Sequence, residues 1–172
     1  MGVSGTGKTS VGQRIAALLG GEFLEGDSFH PESNIAKMSA GIPLTDEDRW
    51  PWLETLAGLV GSWDIEGVPT VLTCSALRRR YRDVLRTAVP EPRLVFVHLH
   101  ASFEVLEARM QTRADHFMPA SLLRSQFETL EPLEPDETGF VIDVSATLDD
   151  VLAAAVVAVA PPGTDPSGQD SA

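Results

Sequence analysis

The sequence predicts an α/β fold, a parallel sheet with helices packed on both faces. Three observations carry that prediction. Segments of strand character alternate with segments of helical period along the chain. One of them, Leu94 to Leu99 (L-V-F-V-H-L), is an apolar run of the kind found where a strand is covered on both sides. Residues 2–9, G-V-S-G-T-G-K-T, match G-x-x-x-x-G-K-[ST] at every fixed position, a loop that joins a strand to a helix.

The elements follow in order. From Lys8 to Leu19, the residues Val11, Ile15, Leu18 and Leu19 recur on one helical face, and Gly20-Gly21 stops the helix. Glu22 to Glu25 reads as a short strand that runs into the polar loop Gly26-Asp27-Ser28-Phe29-His30-Pro31. A short helix occupies 32–41 and ends at Gly41. Thr45 with Asp48 three residues later resembles a capping box, and Pro51 fits the first turn of the main helix better than its interior. The stripe Trp52, Leu53, Leu56, Leu59, Val60 and Trp63 gives that helix its buried face.

Thr70 to Cys74 reads as a buried strand with Ser75 at its exit, and Leu77 to Arg86 as a very basic helix. After the strand at 94–99, Phe103, Leu106 and Met110 mark a helix to about Arg113. A break at Ala114–Pro119 separates it from a helix at 120–130. An acidic, Pro-rich loop leads to a last strand at Phe140–Val144, and Thr147 with Asp150 caps a helix through Val159. The organisation is therefore one domain over 1–160, with a candidate lid around 113–119 and a disordered tail over 161–172. The count is four strands, and the loop at 2–9 implies a fifth at the centre of the sheet.

Composition limits the partners. The chain has 172 residues, with 43% hydrophobic and 22% charged, values ordinary for a globular protein. A net charge of −12 argues against general nucleic-acid binding. Anionic substrates must then be met by local positive charge, and Lys8 and Lys37 are the only lysines beside eleven arginines. Cys74 is the only cysteine, which excludes an internal disulfide and suits a reducing, cytoplasmic setting. No apolar run approaches a membrane span, and the first residues do not read as a signal peptide.

The 2–9 motif is a phosphate-binding loop, or P-loop, with a physical mechanism. Its glycines, Gly2, Gly5 and Gly7, let the backbone curl so that amides of Val3, Ser4, Thr6 and their neighbours point at one phosphate chain. Lys8 adds a mobile charge at the β/γ-phosphates, and the Thr9 hydroxyl can ligate Mg²⁺. The helix that follows adds its positive end. No N-K-x-D base-reading motif of a GTPase is present and the domain is small, so the pattern points to a small ATP-dependent kinase. Its acceptor belongs across the sheet edge, where Gly26–Pro31, Ser75–Arg82 and Arg113–Pro119 emerge.

Asp27 can accept the proton of an attacking hydroxyl or hold the water shell of Mg²⁺; the bland alternative is a turn-forming aspartate. His30 can bond a polyol hydroxyl or simply open a helix. Arg78, Arg79, Arg80, Arg82 and Arg86 form a concentrated positive field. Most should pair with nearby acids, and Arg79, near the strand exit, is the best placed to grip a carboxylate or phosphate. Arg109 and Arg113 at the base of the 114–119 break suit a closing lid that excludes water, or an ordinary helix–helix loop.

Four blocks resemble the gluconokinases, the small P-loop enzymes that phosphorylate gluconate: G-V-S-G-T-G-K-T at 2–9, G-D-S-F-H-P-E-S-N-I-A-K-M-S-A-G-I-P-L-T-D-E-D-R-W-P-W-L at 26–53, C-S-A-L-R-R-R-Y-R-D-V-L-R at 74–86 and H-F-M-P-A-S-L-L-R-S-Q-F-E-T-L-E at 116–131. The resemblance covers nearly all of 2–158. The 26–53 block separates the chain from shikimate and adenylate kinases, which share the P-loop and lid. It implies a fold of the nucleoside-monophosphate-kinase and shikimate-kinase type, ATP and Mg²⁺ as cofactors, and D-gluconate as acceptor. It implies Asp27 as base at the 6-hydroxyl, and His30, Lys37 and Arg49 lining the gluconate pocket. Ser75 and Arg79 would form the opposite wall, Arg109 and Arg113 would contact ATP near the lid, and Gln126 would support the lid or the substrate. Members of the family are often homodimers; the sequence leaves the assembly open.

Two departures stand out. Arg78-Arg79-Arg80 occupies positions where relatives often carry lysine, which keeps the charge and changes its geometry. No strand precedes the P-loop, from which we expect the true start to lie upstream of Met1. The rival readings are a kinase for shikimate or another sugar acid, and a nucleotide-binding protein weakened in catalysis by the missing strand.

Overall fold

A computed structural model describes residues 1–90, 92–112 and 120–159. The expected lid at 113–119, with Arg113, and the expected tail at 161–172 lie outside the described residues. The elements are α1 (Lys8–Leu19), β1 (Glu22–Glu25), a 3₁₀ turn (Gly26–Phe29), α2 (Glu32–Ser39), α3 (Asp46–Glu66), β2 (Thr70–Thr73), α4 (Arg79–Arg86), β3 (Phe96–His100), α5 (Phe103–Thr112), α6 (Ala120–Thr129), β4 (Gly139–Asp143) and α7 (Leu148–Val159).

The strands form two parallel pairs. β1 lies beside β2, with Glu22 opposite Thr70 and Glu25 opposite Thr73. β3 lies beside β4, with Phe96 opposite Gly139 and His100 opposite Asp143. Among the described residues no ladder joins the two pairs. Met1 and Gly2 span between them. The Met1 nitrogen donates to Val97 O at 2.5 Å and Met1 O accepts from Leu99 N at 3.0 Å, while Gly2 N donates to Ser75 O at 3.2 Å. Behind these two residues, between β2 and β3, lies a largely apolar cavity of about 330 Å³, bordered by Ile15, Leu72, Leu85 and Val97.

Helices cover the strands with two separate cores. Val11, Ile15, Leu99, Leu106, Leu123, Ile142 and Val151 draw α1, α5, α6 and α7 into one, and Trp52, Leu53, Leu56, Tyr81 and Leu85 draw α3 and α4 into the other. In α1 the buried face is Val11, Ile15 and Ala16, whereas Leu18 and Leu19 are exposed because the last turn runs beyond the core. Gly20 closes that helix at φ 61°, and Gly21 N bonds Ala16 O at 2.9 Å.

α3 begins earlier than Pro51 suggested. Thr45 and Asp48 form a reciprocal capping box, so the helix starts at Asp46 and Pro51 falls in its second turn. The cap satisfies enough first-turn donors to set the start, and a proline this near the N-terminus removes few helical bonds. No helix among the described residues is long and apolar enough to cross a membrane.

Candidate functional site

The P-loop is shaped by three glycines with positive φ: Gly2 at 136°, Gly5 at 81° and Gly7 at 84°. At Gly2 the requirement is also spatial, since a Cβ there would lie 2.4 Å from Leu99 O. Thr6 is buried and its hydroxyl donates to Val3 O at 2.9 Å, bracing the loop from inside. Lys8 Nζ reaches back to the same carbonyl at 3.0 Å. Burial lowers the Lys8 pKa from its ordinary value, while Asp27, Cys74 and Glu25 favour the ammonium. α1 begins with no side-chain cap and no acid in its first turn, which leaves its amides and its positive end for an anionic ligand.

Thr9 Oγ1 donates to Glu25 Oε2 at 2.6 Å, and Thr73 Oγ1 bonds the other oxygen of the same carboxylate. A hydroxyl and a carboxylate meeting at the foot of the P-loop make an oxygen donor set suited to a hard cation such as Mg²⁺. Glu25 went unnoticed in the sequence. Its signal was its place as the last residue of the strand that ends in Gly26-Asp27.

β1 ends against β2 so closely that a Cβ at Gly26 would lie 2.2 Å from Thr73 O. The chain then turns through the 3₁₀ segment, leaving Asp27 exposed and His30 buried at 8%. His30 Nε2 is 3.9 Å from Asp27 Oδ1. The imidazole stacks on Trp52, with centroids 4.0 Å apart and planes at 19°. Trp52 is itself pinned by its Nε1–H to Gly26 O at 2.8 Å. Burial lowers the His30 pKa from its ordinary value and Arg49 adds to that, against the pull of Asp27. Neither Trp52 nor Asn34, which touches the other side of the imidazole, was singled out in the sequence. Trp52 read only as part of a core stripe.

Lys8, Asp27, His30, Arg49, Ser75 and Gln126 border one cleft of about 60 Å³, with Trp52 on its wall. Arg49 enters from the first turn of α3, where its Nη1 donates to Leu44 O at 2.6 Å and to the Tyr81 hydroxyl at 3.4 Å. Gln126 reaches over from α6, and its Oε1 accepts from the P-loop amide of Ser4 at 2.7 Å. Ser75 follows β2 just before Ala76, which is buried and takes the left-handed φ of 42° rarely adopted by alanine.

Three expected site residues stand elsewhere or are tied to other groups. Lys37 does not border the cleft; its ammonium grips both oxygens of Asp48 at 2.6 and 2.8 Å. That bond is the main reason the Asp48 pKa falls to about 2, so Lys37 serves the cap of α3. Arg79 does not border the cleft either. It is drawn outward by Asp83 at 3.1 Å, Glu134 at 2.8 Å and Asp136 at 2.6 Å. The acidic loop that follows α6 supplies counter-charges that a count of nearby arginines could not reveal. Arg109 donates to Val144 O, beyond the end of β4.

The buried thiol of Cys74 is pushed up to about 12 by desolvation, which makes it a packing group and not a nucleophile. The chemistry assembled here is a phosphate cradle facing a carboxylate, an imidazole and a guanidinium across one cleft.

A family model described as an AAA domain matches residues 1–133. The thermosensitive gluconokinase of Escherichia coli K12 is 48% identical over 152 residues, covering 88% of this chain and 80% of that protein. The gluconokinase of Gluconobacter oxydans 621H is 50% identical, covering 80% of this chain and 76% of that protein. Among solved structures, an unliganded sugar kinase from Janibacter sp. HTCC2649 superposes with a TM-score of 0.87 at 52% identity, over 91% of this chain and 90% of that one. A gluconokinase from Sinorhizobium meliloti 1021 gives 0.80 at 46% identity, over 92% and 87% of the two chains.

Proposed function

The chain belongs to the gluconokinase family of P-loop kinases, and from that premise we propose how its own residues carry the reaction. The reaction transfers the γ-phosphoryl group of ATP to the 6-hydroxyl of D-gluconate, giving 6-phospho-D-gluconate and ADP. The observation that carries the assignment of roles is the meeting of Lys8, Asp27, His30 and Arg49 at one cleft.

The P-loop amides from Val3 to Thr9 and the end of α1 bind the phosphate chain, and Lys8 leaves Val3 O to neutralise charge on the β- and γ-phosphates. Thr9 would hold Mg²⁺, with Glu25 beside it. When bound, the ion supplies positive charge at the phosphate oxygens. Asp27 orients the 6-hydroxyl and takes its proton. The hydroxyl oxygen forms the new bond to γ-phosphorus as the bond from phosphorus to the bridging oxygen breaks, and the electron pair leaves with ADP. His30 bonds a hydroxyl of the acceptor, and Arg49 meets the gluconate carboxylate. Ser75 and Gln126 complete the wall. Arg109, with Arg113, serves the nucleotide side.

A panel of acceptors with coupled ADP detection tests this reading. We expect gluconate to exceed shikimate and related sugar acids by at least about a hundredfold in kcat/KM, since a site built to bond specific hydroxyls rejects analogues that leave its groups unpaired. Equal rates on shikimate and gluconate would overturn the substrate assignment.

A further inference from the structure

Asn34 is 1% exposed, bears no charge and lies outside the reacting groups, yet the nitrogen of its amide meets two acceptors. Its Nδ2 donates to Asp48 O at 2.8 Å and lies 3.3 Å from His30 Nδ1. The backbone carbonyl settles the amide's orientation, because a carbonyl can only accept, so the NH₂ end must face it. The second hydrogen of that NH₂ is then directed at His30 Nδ1, which must present a lone pair. The remaining proton of the neutral ring sits on Nε2, the nitrogen on the Asp27 side of the ring.

We propose that Asn34 is the positioning residue that holds His30 as its Nε2–H tautomer, making His30 a hydrogen-bond donor toward the acceptor substrate. This rests on the gluconate reading of the cleft. It deepens that reading by assigning polarity: Asp27 accepts the proton of a hydroxyl, and His30 donates to a hydroxyl oxygen.

Three features keep the arrangement rigid. Trp52 fixes the plane of the imidazole by stacking. The capping box of Thr45 and Asp48 fixes the first turn of α3, and with it the Asp48 carbonyl. Lys37 clamps the Asp48 side chain. The last two connect Lys37, expected to touch substrate, to the site at one remove. The charged groups that act on the ring are Asp27 and Arg49. A neutral donor suits a polyol, whose hydroxyl oxygens carry lone pairs, better than it suits a carboxylate, which Arg49 serves.

The test is nitrogen-15 NMR of the histidine rings in the full-length free protein, with His30 assigned by comparison with His30→Gln. We expect a protonated Nε2 and an unprotonated Nδ1 at neutral pH. A protonated Nδ1 with a bare Nε2, or an imidazolium at that pH, would overturn the proposal. In Asn34→Ala we expect the two tautomers to mix and KM for gluconate to rise roughly tenfold, with KM for ATP unchanged, as fits loss of one oriented hydrogen bond. An unmixed Nε2–H tautomer in a folded Asn34→Ala protein would also overturn it. Should that variant fail to fold, the parent spectrum still decides. The spectrum needs no substrate, so failure of the gluconate assignment in the acceptor panel would be seen separately.

Discussion

Lys8 and Asp27 face each other across the cleft and should fail in different ways when replaced. Lys8→Ala removes the charge proposed to stabilise the transferred phosphoryl, and we expect phosphate transfer to be abolished in the coupled ADP assay. Transfer at a normal rate would refute the role given to the P-loop. Asp27→Asn keeps the shape and removes the proposed base. We expect kcat to fall about 10²–10⁴-fold, with ATP affinity, read by calorimetry, nearly unchanged. At this scale the sequence was legible where a residue's place beside a glycine already sets its position, as for Asp27, which borders the cleft after Gly26. It was illegible where a role depends on a partner far along the chain. Arg79 and Arg82 are three residues apart and both basic. One is held by acids at an exposed surface and the other is 0% exposed against Glu137. Nothing local separates them, because the partners at 131–137 are about fifty residues away.

α4 exists as a positioned element because of that buried pair. Arg82 Nε donates to Glu137 Oε1 at 2.5 Å and Nη2 to Oε2 at 2.8 Å. The same guanidinium bonds Glu131 O and Pro132 O, each at 3.0 Å, and lies 3.4 Å from Ala76 O and Leu77 O. It therefore ties the exit of β2, where Ser75 borders the cleft, to the loop after α6. Glu137→Ala should leave a buried, uncompensated charge and cost about 3–5 kcal/mol in urea-monitored unfolding. The double replacement Arg82→Met, Glu137→Leu should cost much less than that single change, since no orphaned charge remains. A double variant as unstable as the single would show that packing, not charge, is what Glu137 supplies. The positions of the elements themselves were readable from period and from punctuation by glycine and proline. Boundaries slipped where a cap outweighed a proline, as at Thr45 and Pro51.

Over the whole molecule, the two strand pairs and their two cores meet around β3, and His98 sits there with both ring nitrogens buried and without a hydrogen-bond partner among the described residues. The sequence displayed His98 only as one letter in an apolar run, and its cost becomes visible only when both faces are covered. Desolvation chiefly lowers its pKa from 6.5 to about 4, helped by His100 and Arg82. The sign follows from proton counting. Between pH 6.5 and 4 the unfolded chain binds a proton at His98 that the folded chain refuses, so stability rises with pH across that window and falls on acidification. The full drop is about 3 kcal/mol, since each unit of pKa difference is worth about 1.4 kcal/mol. Carboxylates held low by their partners act below their ordinary values, Glu137 from 4.5 downward and Asp48 from 3.8. His98 can therefore be isolated by difference. Urea unfolding of the parent and of His98→Leu should give curves of stability against pH that diverge between pH 6.5 and 4, the variant losing less. Parallel curves through that window would mean that the imidazole takes its proton inside the folded protein without penalty.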